Sequence, residues 1–484
     1  MYPCRKRSSC GRKRMIPRRN KAVPHQQHIR YKACADMSDY PFHVMTKPVG
    51  PICNLDCKYC FYLEKENLYP NVSRWAMRPD VLESYIRQYI DAQPTDVIHF
   101  AWQGGEPTLL GVDFFRKMVE LQKRYANGRK IENAFQTNGV LLDDVWGEFF
   151  AENKFLIGLS VDGPEHLHDA YRVDKRGKGS FQRVMAGMET LKRNGVSFNT
   201  LTTIHRANSQ HPLEVYRFLR EQGSGYMQFI PIVERKTAQT TSDGLTLVLP
   251  TFAAEAKVTE WSVEPTQFGR FLCAIFDEWV RHDVGRQFVQ LFDVSLEMWF
   301  GQEASLCVFR RKCGQALAME HGGDLYSCDH FVYPENRLGN IMEIPLEDLA
   351  NSPQQKKFGE DKETTLPKYC LTCDVRFACN GECPKHRFLQ TPDGESGLNY
   401  LCAGYKMFFH HVDPYMRFMA DQLQREQAPA NVMRWVAQED AKKSANGKVG
   451  RNAMCLCGSG KKYKACCLRA EQSGPSAGQS RAAL

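Results

Sequence analysis

Three cysteines near the amino end have the spacing of ligands for an iron–sulfur cluster. Cys53, Cys57 and Cys60 are separated by three residues and then by two. A tight loop can turn all three thiolates towards one [4Fe–4S] cluster, which leaves its fourth iron open to a small molecule. The same spacing fits a zinc knuckle whose fourth ligand lies elsewhere in the chain. The spacing favours the cluster and leaves the zinc site as the alternative.

A glycine-rich segment follows the next predicted strand. Residues 103–108 read Gln-Gly-Gly-Glu-Pro-Thr. Glycines let a backbone approach a ligand closely, and a carboxylate can accept a hydrogen bond from an ammonium group. Turns use the same residue types, so the segment alone is a weak signal. Its position after the cysteines and at the end of a strand indicates a ligand site.

Together, Cys53–Tyr62 and Gly104–Pro107 resemble the motifs of the radical S-adenosylmethionine (SAM) superfamily. In that superfamily the open iron chelates the amino and carboxylate groups of SAM. The resemblance implies a SAM pocket formed by Tyr59, Gly104, Gly105, Glu106, Ser160, Arg172 and Val233. Glu106 belongs to the motif for the amino group, and Ser160 and Arg172 would hold the carboxylate, which an arginine can pair bidentately. From the residues alone, Ser160 could instead cap a helix and Arg172 could be a surface charge.

Strand-like and helical patterns alternate in the first half of the chain. The strand-like runs are Phe42–Val49, Val97–Trp102, Ala134–Thr137, Phe155–Val161, Ser197–Ile204 and Tyr226–Val233. The helical runs between them are Arg78–Ala92, Asp113–Tyr125, Asp143–Glu152, Phe181–Asn194 and Pro212–Glu221. This alternation predicts an α/β fold with parallel strands, a partial (β/α)6 TIM-like barrel. Ligands of such folds bind at the carboxyl ends of the strands, where both motifs lie.

A second cysteine-rich region follows the predicted barrel. Its eight cysteines could ligate two [4Fe–4S] clusters or, alternatively, two zinc ions. The region resembles the SPASM-type auxiliary domain, which forms the predicted second domain over residues 266–420 after a barrel over 40–265. The resemblance implies a first auxiliary cluster held by Cys307, Cys313, Cys328 and Cys383. It implies a second one held by Cys370, Cys373, Cys379 and Cys402.

From about Tyr40 to Met419 the chain resembles the anaerobic sulfatase-maturating enzymes. The segments that carry this resemblance include Trp102–Gly111, Phe135–Leu142, Gly158–Pro164, Gln228–Val233, Arg337–Asn340 and Gly397–Tyr405. The resemblance implies that Asp329, next to Cys328, is a general base. From the residues alone, Asp329 could instead accept backbone hydrogen bonds beside the cluster loop.

The implied reaction is radical oxidation of a Cys or Ser side chain to Cα-formylglycine. The implied partner is an unfolded sulfatase polypeptide with a Cys/Ser-x-Pro-x-Arg segment, and a reductant such as flavodoxin or ferredoxin would supply electrons. An auxiliary cluster would accept the second electron of the oxidation. One alternative is another SPASM-type peptide-modifying enzyme that forms thioethers or epimerises residues. A non-catalytic iron–sulfur or zinc scaffold is another, although it would not need Gly104–Pro107 with Ser160 and Arg172.

The carboxyl end indicates a separate module. Residues 421–449 are polar and predict a linker. Residues 450–468 contain Cys455, Cys457, Cys466 and Cys467, which fit one tetrahedral structural zinc. This segment resembles the SEC-C motif found at the end of the preprotein translocase ATPase, which suggests a secretion-related partner. We expect residues 469–484 to be disordered.

Charge and composition restrict the class of protein. The net charge of +9 arises in residues 1–36, where eleven Lys and Arg and one acid give +10, so the rest carries about −1. We therefore expect no nucleic-acid binding. The basic segment should be disordered, and we favour the interpretation that it is not native and that the protein starts at Met37.

No apolar run reaches the ~20 residues of a membrane span. Nineteen cysteines without an export signal indicate metal sites in a reducing cytoplasm.

Overall fold

The computed structural model describes residues 41–252, 255–446 and 461–465. Several predictions lie outside the described residues: the basic segment 1–36, the alternative start at Met37, residues 469–484, and the zinc ligands Cys455, Cys457, Cys466 and Cys467.

Ten strands form one open sheet, most of it parallel. These are β1 His43–Lys47, β2 Val97–Trp102, β3 Lys130–Thr137, β4 Leu156–Ser160, β5 Phe198–Ile204, β6 Tyr226–Pro231, β9 Phe288–Val289, β10 Ala316–Glu320, β11 Asp324–Tyr326 and β12 Arg337–Asn340. The strand order is β12-β11-β10-β1-β2-β3-β4-β5-β6-β9. All pairs from β10 through β1 to β9 are parallel, and β10, β11 and β12 pair antiparallel. The six predicted strands are thus confirmed, with β3 starting earlier than its apolar run.

Helices connect the parallel strands and cover the sheet. They are α1 Pro79–Ala92, α2 Val112–Tyr125, α3 Asp144–Glu152, α4 Glu165–His168, α5 Phe181–Arg193, α6 Pro212–Glu221, α7 Pro265–His282, α8 Gln290–Trp299, α9 Leu346–Ala350, α10 Pro353–Thr364, α11 Lys368–Leu371, α12 Arg376–Cys379, α13 Cys402–Gln424 and α14 Asn431–Asn446. Two small hairpins pair β7 Arg235–Thr237 with β8 Ala256–Val258, and β13 Leu389–Gln390 with β14 Ser396–Leu398. Apolar residues of the helices and of the strands form the core because each helix buries one apolar stripe against the sheet. The α/β class with a partial barrel is therefore confirmed.

The second cysteine-rich region extends the sheet of the first. β10 pairs with β1 in parallel, with Lys47 opposite Glu320. α7 begins at Pro265, beside the predicted domain boundary, and packs against α13. Both the sheet and the hydrophobic core continue across that boundary. The two predicted domains consequently share one structural framework.

The prediction of a linker over residues 421–449 is wrong for most of that stretch. α13 continues to Gln424, and residues 431–446 form α14. Val432 and Val436 of α14 are buried in the core, and Trp435 stacks on Phe418 with ring centroids 4.9 Å apart. The polar composition conceals an apolar stripe of residues spaced by three and four, which is sufficient to dock a helix.

None of the helices formed by the described parts of the chain combines the length and the apolar character that a membrane span requires.

Candidate active site

The predicted cluster and SAM residues meet in one cavity at the carboxyl ends of the parallel strands. The predicted residues that line it are Cys53, Cys57, Tyr59, Cys60, Gly104, Gly105, Ser160, Arg172 and Asp329. The cysteine loop follows β1, the glycine segment follows β2, and Ser160 ends β4. Parallel strands bring these segments together because their carboxyl ends share one edge of the sheet. Two predicted residues, Glu106 and Val233, are not among the lining residues.

The three cysteines are half-buried and present their thiols to the cavity. Burial raises the pKa of the Cys53 thiol to about 12, and burial also raises the pKa values of Cys57 and Cys60. The Cys53 sulfur accepts hydrogen bonds from the Leu55 amide at 3.4 Å and from Asn138 Nδ2 at 3.6 Å. Such thiols ionise when a metal binds them. Three thiols around one space fit the three protein ligands of a cluster with an open iron.

The glycine segment forms a backbone wall of the cavity. Gly105 N–H donates to the Gly50 carbonyl at 2.8 Å, and Glu106 N–H donates to the Ile52 carbonyl at 2.9 Å. A Cβ atom on Gly105 would lie 1.9 Å from the Ile52 oxygen. Gly104 has a φ of +127°, which L side chains rarely adopt. Both glycines are therefore needed to clamp this loop onto the cysteine loop.

The Glu106 side chain differs from its predicted position. Its carboxylate is fully buried behind the cavity and accepts hydrogen bonds from Thr108 Oγ1 at 2.6 Å, Thr137 Oγ1 at 2.8 Å and the Asn138 amide at 2.8 Å. Burial raises the pKa of this carboxyl group. The carboxylate fixes the end of β3 instead of facing a ligand, so the groups that the motif exposes to the cavity belong to Gly104 and Gly105.

Arg172 and Tyr59 are held by a buried aspartate that the sequence analysis did not single out. Asp162 is fully buried, with its Oδ2 2.9 Å from Arg172 Nε and accepting from the Tyr59 hydroxyl at 2.5 Å. Its Oδ1 accepts from the Thr203 amide at 2.9 Å. Although burial opposes ionisation, the Arg172 guanidinium holds the pKa of Asp162 below its usual value. The sequence offered one indication of this role, namely that Asp162 lies two residues after Ser160, the last residue of β4.

The Ser160 side chain faces the cavity, whereas the Val233 side chain faces the core. The Ser160 hydroxyl lines the cavity and accepts from Gln136 Nε2 at 3.0 Å. Val233 is buried in the core, whereas Ile230 and Ile232 line the cavity. Neighbouring residues of an extended chain point to opposite sides, which is why Ile232 and not Val233 lines the cavity.

Asp329 lies at the same cavity and pairs with a buried lysine. Lys47 Nζ is 2.5 Å from Asp329 Oδ1 and 3.6 Å from the ring centroid of Tyr62. The Lys47 side chain is 1 % exposed. Burial favours the neutral acid, yet the Lys47 ammonium outweighs it and lowers the pKa of Asp329, which is therefore a carboxylate at neutral pH. The sequence signal for Lys47 was a lysine at the end of the strand that precedes the cysteine loop.

The other eight cysteines border two further cavities. Cys307, Cys313, Cys328 and Cys383 line one of them, together with Asp329. Cys370, Cys373, Cys379 and Cys402 line the other. Among the described residues, no three His, Cys, Asp or Glu side chains are grouped closely enough to bind a single metal ion. The two sets of four match the two predicted ligand sets.

Comparisons with known proteins agree with this arrangement. Residues 48–219 match the radical SAM superfamily, residues 307–374 match an iron–sulfur cluster-binding domain, and residues 451–469 match the SEC-C motif.

Two relatives and one solved structure extend the similarity to most of the chain. The serine-type anaerobic sulfatase-maturating enzyme of Bacteroides thetaiotaomicron is 49% identical over 81% of this chain and 95% of its own length. The cysteine-type enzyme of Clostridium perfringens is 32% identical over 79% and 99%. The structure of native anSMEcpe with bound AdoMet and Cp18Cys peptide superposes with a TM-score of 0.69, at 31% identity over 79% of this chain and all of that one. The chain therefore belongs to the anaerobic sulfatase-maturating enzymes.

Proposed function

We propose that this enzyme oxidises a serine side chain of an unfolded sulfatase polypeptide to Cα-formylglycine, with Asp329 as the general base. The observation that carries the proposal is that Asp329 lines the same cavity as Cys53, Cys57 and Cys60. Serine is favoured over cysteine because the serine-type relative is the more similar of the two compared above.

The oxidation removes two hydrogens and two electrons from the side chain. Cys53, Cys57 and Cys60 would hold a cluster with SAM at its open iron, and these cofactors would supply the radical chemistry that removes one hydrogen atom from the Cβ. Asp329 accepts the proton of the hydroxyl group. The remaining electron leaves the substrate, and serine yields the aldehyde directly. A cysteine would yield a thioaldehyde, which water hydrolyses.

The polar groups of the cavity orient SAM in this proposal. Arg172 and Ser160 hold its carboxylate, and the backbone at Gly104 and Gly105 receives its amino group. Tyr59 contributes its ring to the wall and braces Asp162. Lys47 keeps Asp329 ionised and directed into the cavity, because its own ammonium group is enclosed and has a short ion pair.

Further cofactors and partners complete the proposal. The two sets of four cysteines would hold two auxiliary [4Fe–4S] clusters, which supply an acceptor for the remaining electron. A zinc ion in residues 450–468 would fold the SEC-C segment. We assign a flavodoxin or ferredoxin as reductant, the cytoplasm as the compartment and a secretion-related protein as the SEC-C partner.

Replacing Asp329 by Asn tests the assignment of the base. Asn keeps the size of the side chain but cannot take a proton at neutral pH. SAM cleavage should continue, while formation of oxidised peptide should fall by about 10²–10⁴-fold, the usual contribution of a positioned base. Both products, 5′-deoxyadenosine and oxidised peptide, are measured by mass in one anaerobic reaction. Asp361→Asn, at an exposed ion pair with Lys357, is the control.

Two outcomes contradict parts of this proposal. If Asp329→Asn forms both products at the parental ratio and rate, Asp329 is not the base and only braces the loop after Cys328. A pair of peptides that differ only in Ser or Cys at the target position tests the substrate preference. Faster turnover of the cysteine peptide would reverse the preference, and a thioether or an epimer as product would indicate another SPASM-type modification.

A further inference from the structure

His330 lies between the predicted SAM cavity and the first auxiliary cavity. It follows Asp329 in a short 3-10 helix, Asp329–Phe331, and lines both cavities. On one side its ring meets Phe61 edge-on, with centroids 6.0 Å apart. Phe61 directly follows Cys60. The imidazole thus occupies the wall that separates the two cysteine sets.

On the other side, His330 contacts a cysteine of the first auxiliary set. Its Nδ1 is 3.3 Å from the sulfur of Cys383, which is 6 % exposed. Among the described residues, Cys383 is the one hydrogen-bond partner of this ring. A cysteine that ligates iron is a thiolate and can only accept, so Nδ1–H must be the donor once the cluster is bound.

The neighbouring histidine has a different role. His386 Nδ1 is 2.9 Å from Glu382 Oε2, and Asn399 Nδ2 donates to the same oxygen at 2.6 Å. The rings of His330 and His386 are 6.3 Å apart. The polar network of Glu382 therefore engages His386 and leaves His330 to the sulfur.

We propose that His330 raises the reduction potential of the first auxiliary cluster through an N–H···S hydrogen bond to Cys383. Hydrogen bonds to ligand sulfurs stabilise the reduced, more negative form of an iron–sulfur cluster. A higher potential suits a cluster that accepts the electron released from a substrate at Asp329. His330 is accordingly a positioning residue that acts through Cys383. The inference depends on the proposed function for its assignment of the cluster to Cys307, Cys313, Cys328 and Cys383.

Two substitutions of His330 separate the hydrogen bond from the packing. His330→Phe keeps a flat ring against Phe61 and removes the donor, whereas His330→Asn retains an N–H donor near the Nδ1 position. Both are made in a full-length protein in which Cys53, Cys57 and Cys60 are replaced by Ala, so that only auxiliary clusters remain. A reductive titration followed by electron paramagnetic resonance gives the potentials. We expect a lower potential for one cluster in His330→Phe and a potential near the parental one in His330→Asn.

A control and a second measurement make the result decisive. His386→Phe removes a nearby buried imidazole whose Nδ1 pairs with Glu382 instead of a cysteine sulfur, and it should shift the potential less than His330→Phe. The proposal is overturned if His330→Phe leaves the potentials unchanged, or if His386→Phe shifts them equally.

Should His330→Phe lose its cluster, the unsubstituted His330 protein decides the question. With ¹⁵N-labelled histidine, pulsed resonance should detect weak nitrogen coupling to the reduced auxiliary cluster, and its absence would refute the contact. None of these measurements requires a substrate, so they are independent of whether the enzyme acts on a sulfatase.

Discussion

At the scale of the residue, the buried charge of Arg172 is stabilised by a buried partner of opposite charge. Its side chain is 8 % exposed, and its guanidinium pairs with Asp162, which is fully buried. The guanidinium carbon lies 5.5 Å from the centre of the Tyr59 ring. Because Asp162 also accepts from the Tyr59 hydroxyl, one carboxylate positions both Arg172, which we assign to the carboxylate of SAM, and Tyr59, which we assign to the wall of the pocket.

We expect Asp162→Asn to destabilise the protein and to weaken SAM binding. Removing one partner of a buried ion pair leaves an uncompensated charge and typically costs about 3–5 kcal/mol. Urea denaturation of the anaerobically prepared protein measures the free energy of unfolding. Asp361→Asn, at an ion pair whose side chains are 74 % and 43 % exposed, should cost less than about 1 kcal/mol. Equal losses in the two variants would show that Asp162 has no special role.

At the scale of the element, the loop after β2 has little freedom to accept a larger side chain. It is clamped by backbone hydrogen bonds to the cysteine loop after β1. A side chain at Gly105 would collide with backbone, which cannot move aside as a flexible side chain does. The loop therefore transmits any distortion to the cysteine loop.

Gly105→Ala should accordingly abolish SAM cleavage. Gly225→Ala is the matched control, because a Cβ atom there has no neighbour within 4 Å and the residue has no positive φ. We expect that control to retain the parental rate of 5′-deoxyadenosine formation in the presence of a reductant. Parental activity in Gly105→Ala would mean that the two loops can separate without loss of the site.

Helix α14 packs on the core, so its removal and the removal of the residues after it should have different effects. α14 buries Val432 and Val436 and forms an ion pair between Asp440 and Arg281 at 3.1 Å. We expect a chain that ends at residue 446 to oxidise its peptide within a few-fold of the full-length rate. A chain that ends at residue 430 should be much less stable, because burial of each large apolar side chain contributes about 1.5–3 kcal/mol. Loss of activity in the chain that ends at residue 446, with all clusters retained, would place the SEC-C segment in the active site.

At the scale of the whole molecule, one sheet extends from the cavity at Cys53, Cys57 and Cys60 to the region of the other eight cysteines. The pairing of β10 with β1 places Glu320 beside Lys47, and the loop after β11 brings Asp329 to the ammonium of that lysine. The proposed base Asp329 and the cysteines Cys53, Cys57 and Cys60 thus lie in different predicted domains, but each follows a strand of the same sheet.

The whole protein should bind about twelve iron atoms, four for each of three cubane clusters. Replacing Cys53, Cys57 and Cys60 together by Ala should remove a third of the iron and all SAM cleavage. Iron analysis and 5′-deoxyadenosine measurement on the same anaerobic samples check both expectations. Continued SAM cleavage in the triple variant would refute the assignment of the first cluster.

Local patterns in the sequence were sufficient to predict the first set of ligand cysteines and the parallel strands of the sheet. The short spacing of Cys53, Cys57 and Cys60 indicated one set of ligands before the fold was known, whereas the division of the other eight cysteines into two sets of four came from the resemblance to the SPASM-type domain. The alternation of period-two and helical patterns likewise identified the six parallel strands, because burial against a sheet imposes those periods on the chain.

Only the tertiary structure decided which side chains face the cavity and what holds them. Glu106 and Val233 lie at the positions that the resemblance assigns to the SAM pocket, yet both side chains are buried and neither lines the cavity. Lys47, Asp162 and His330 gain their roles from partners far away in sequence. A residue type fixes what a side chain can do, but the direction in which it points depends on strand register and on the groups that pack around it.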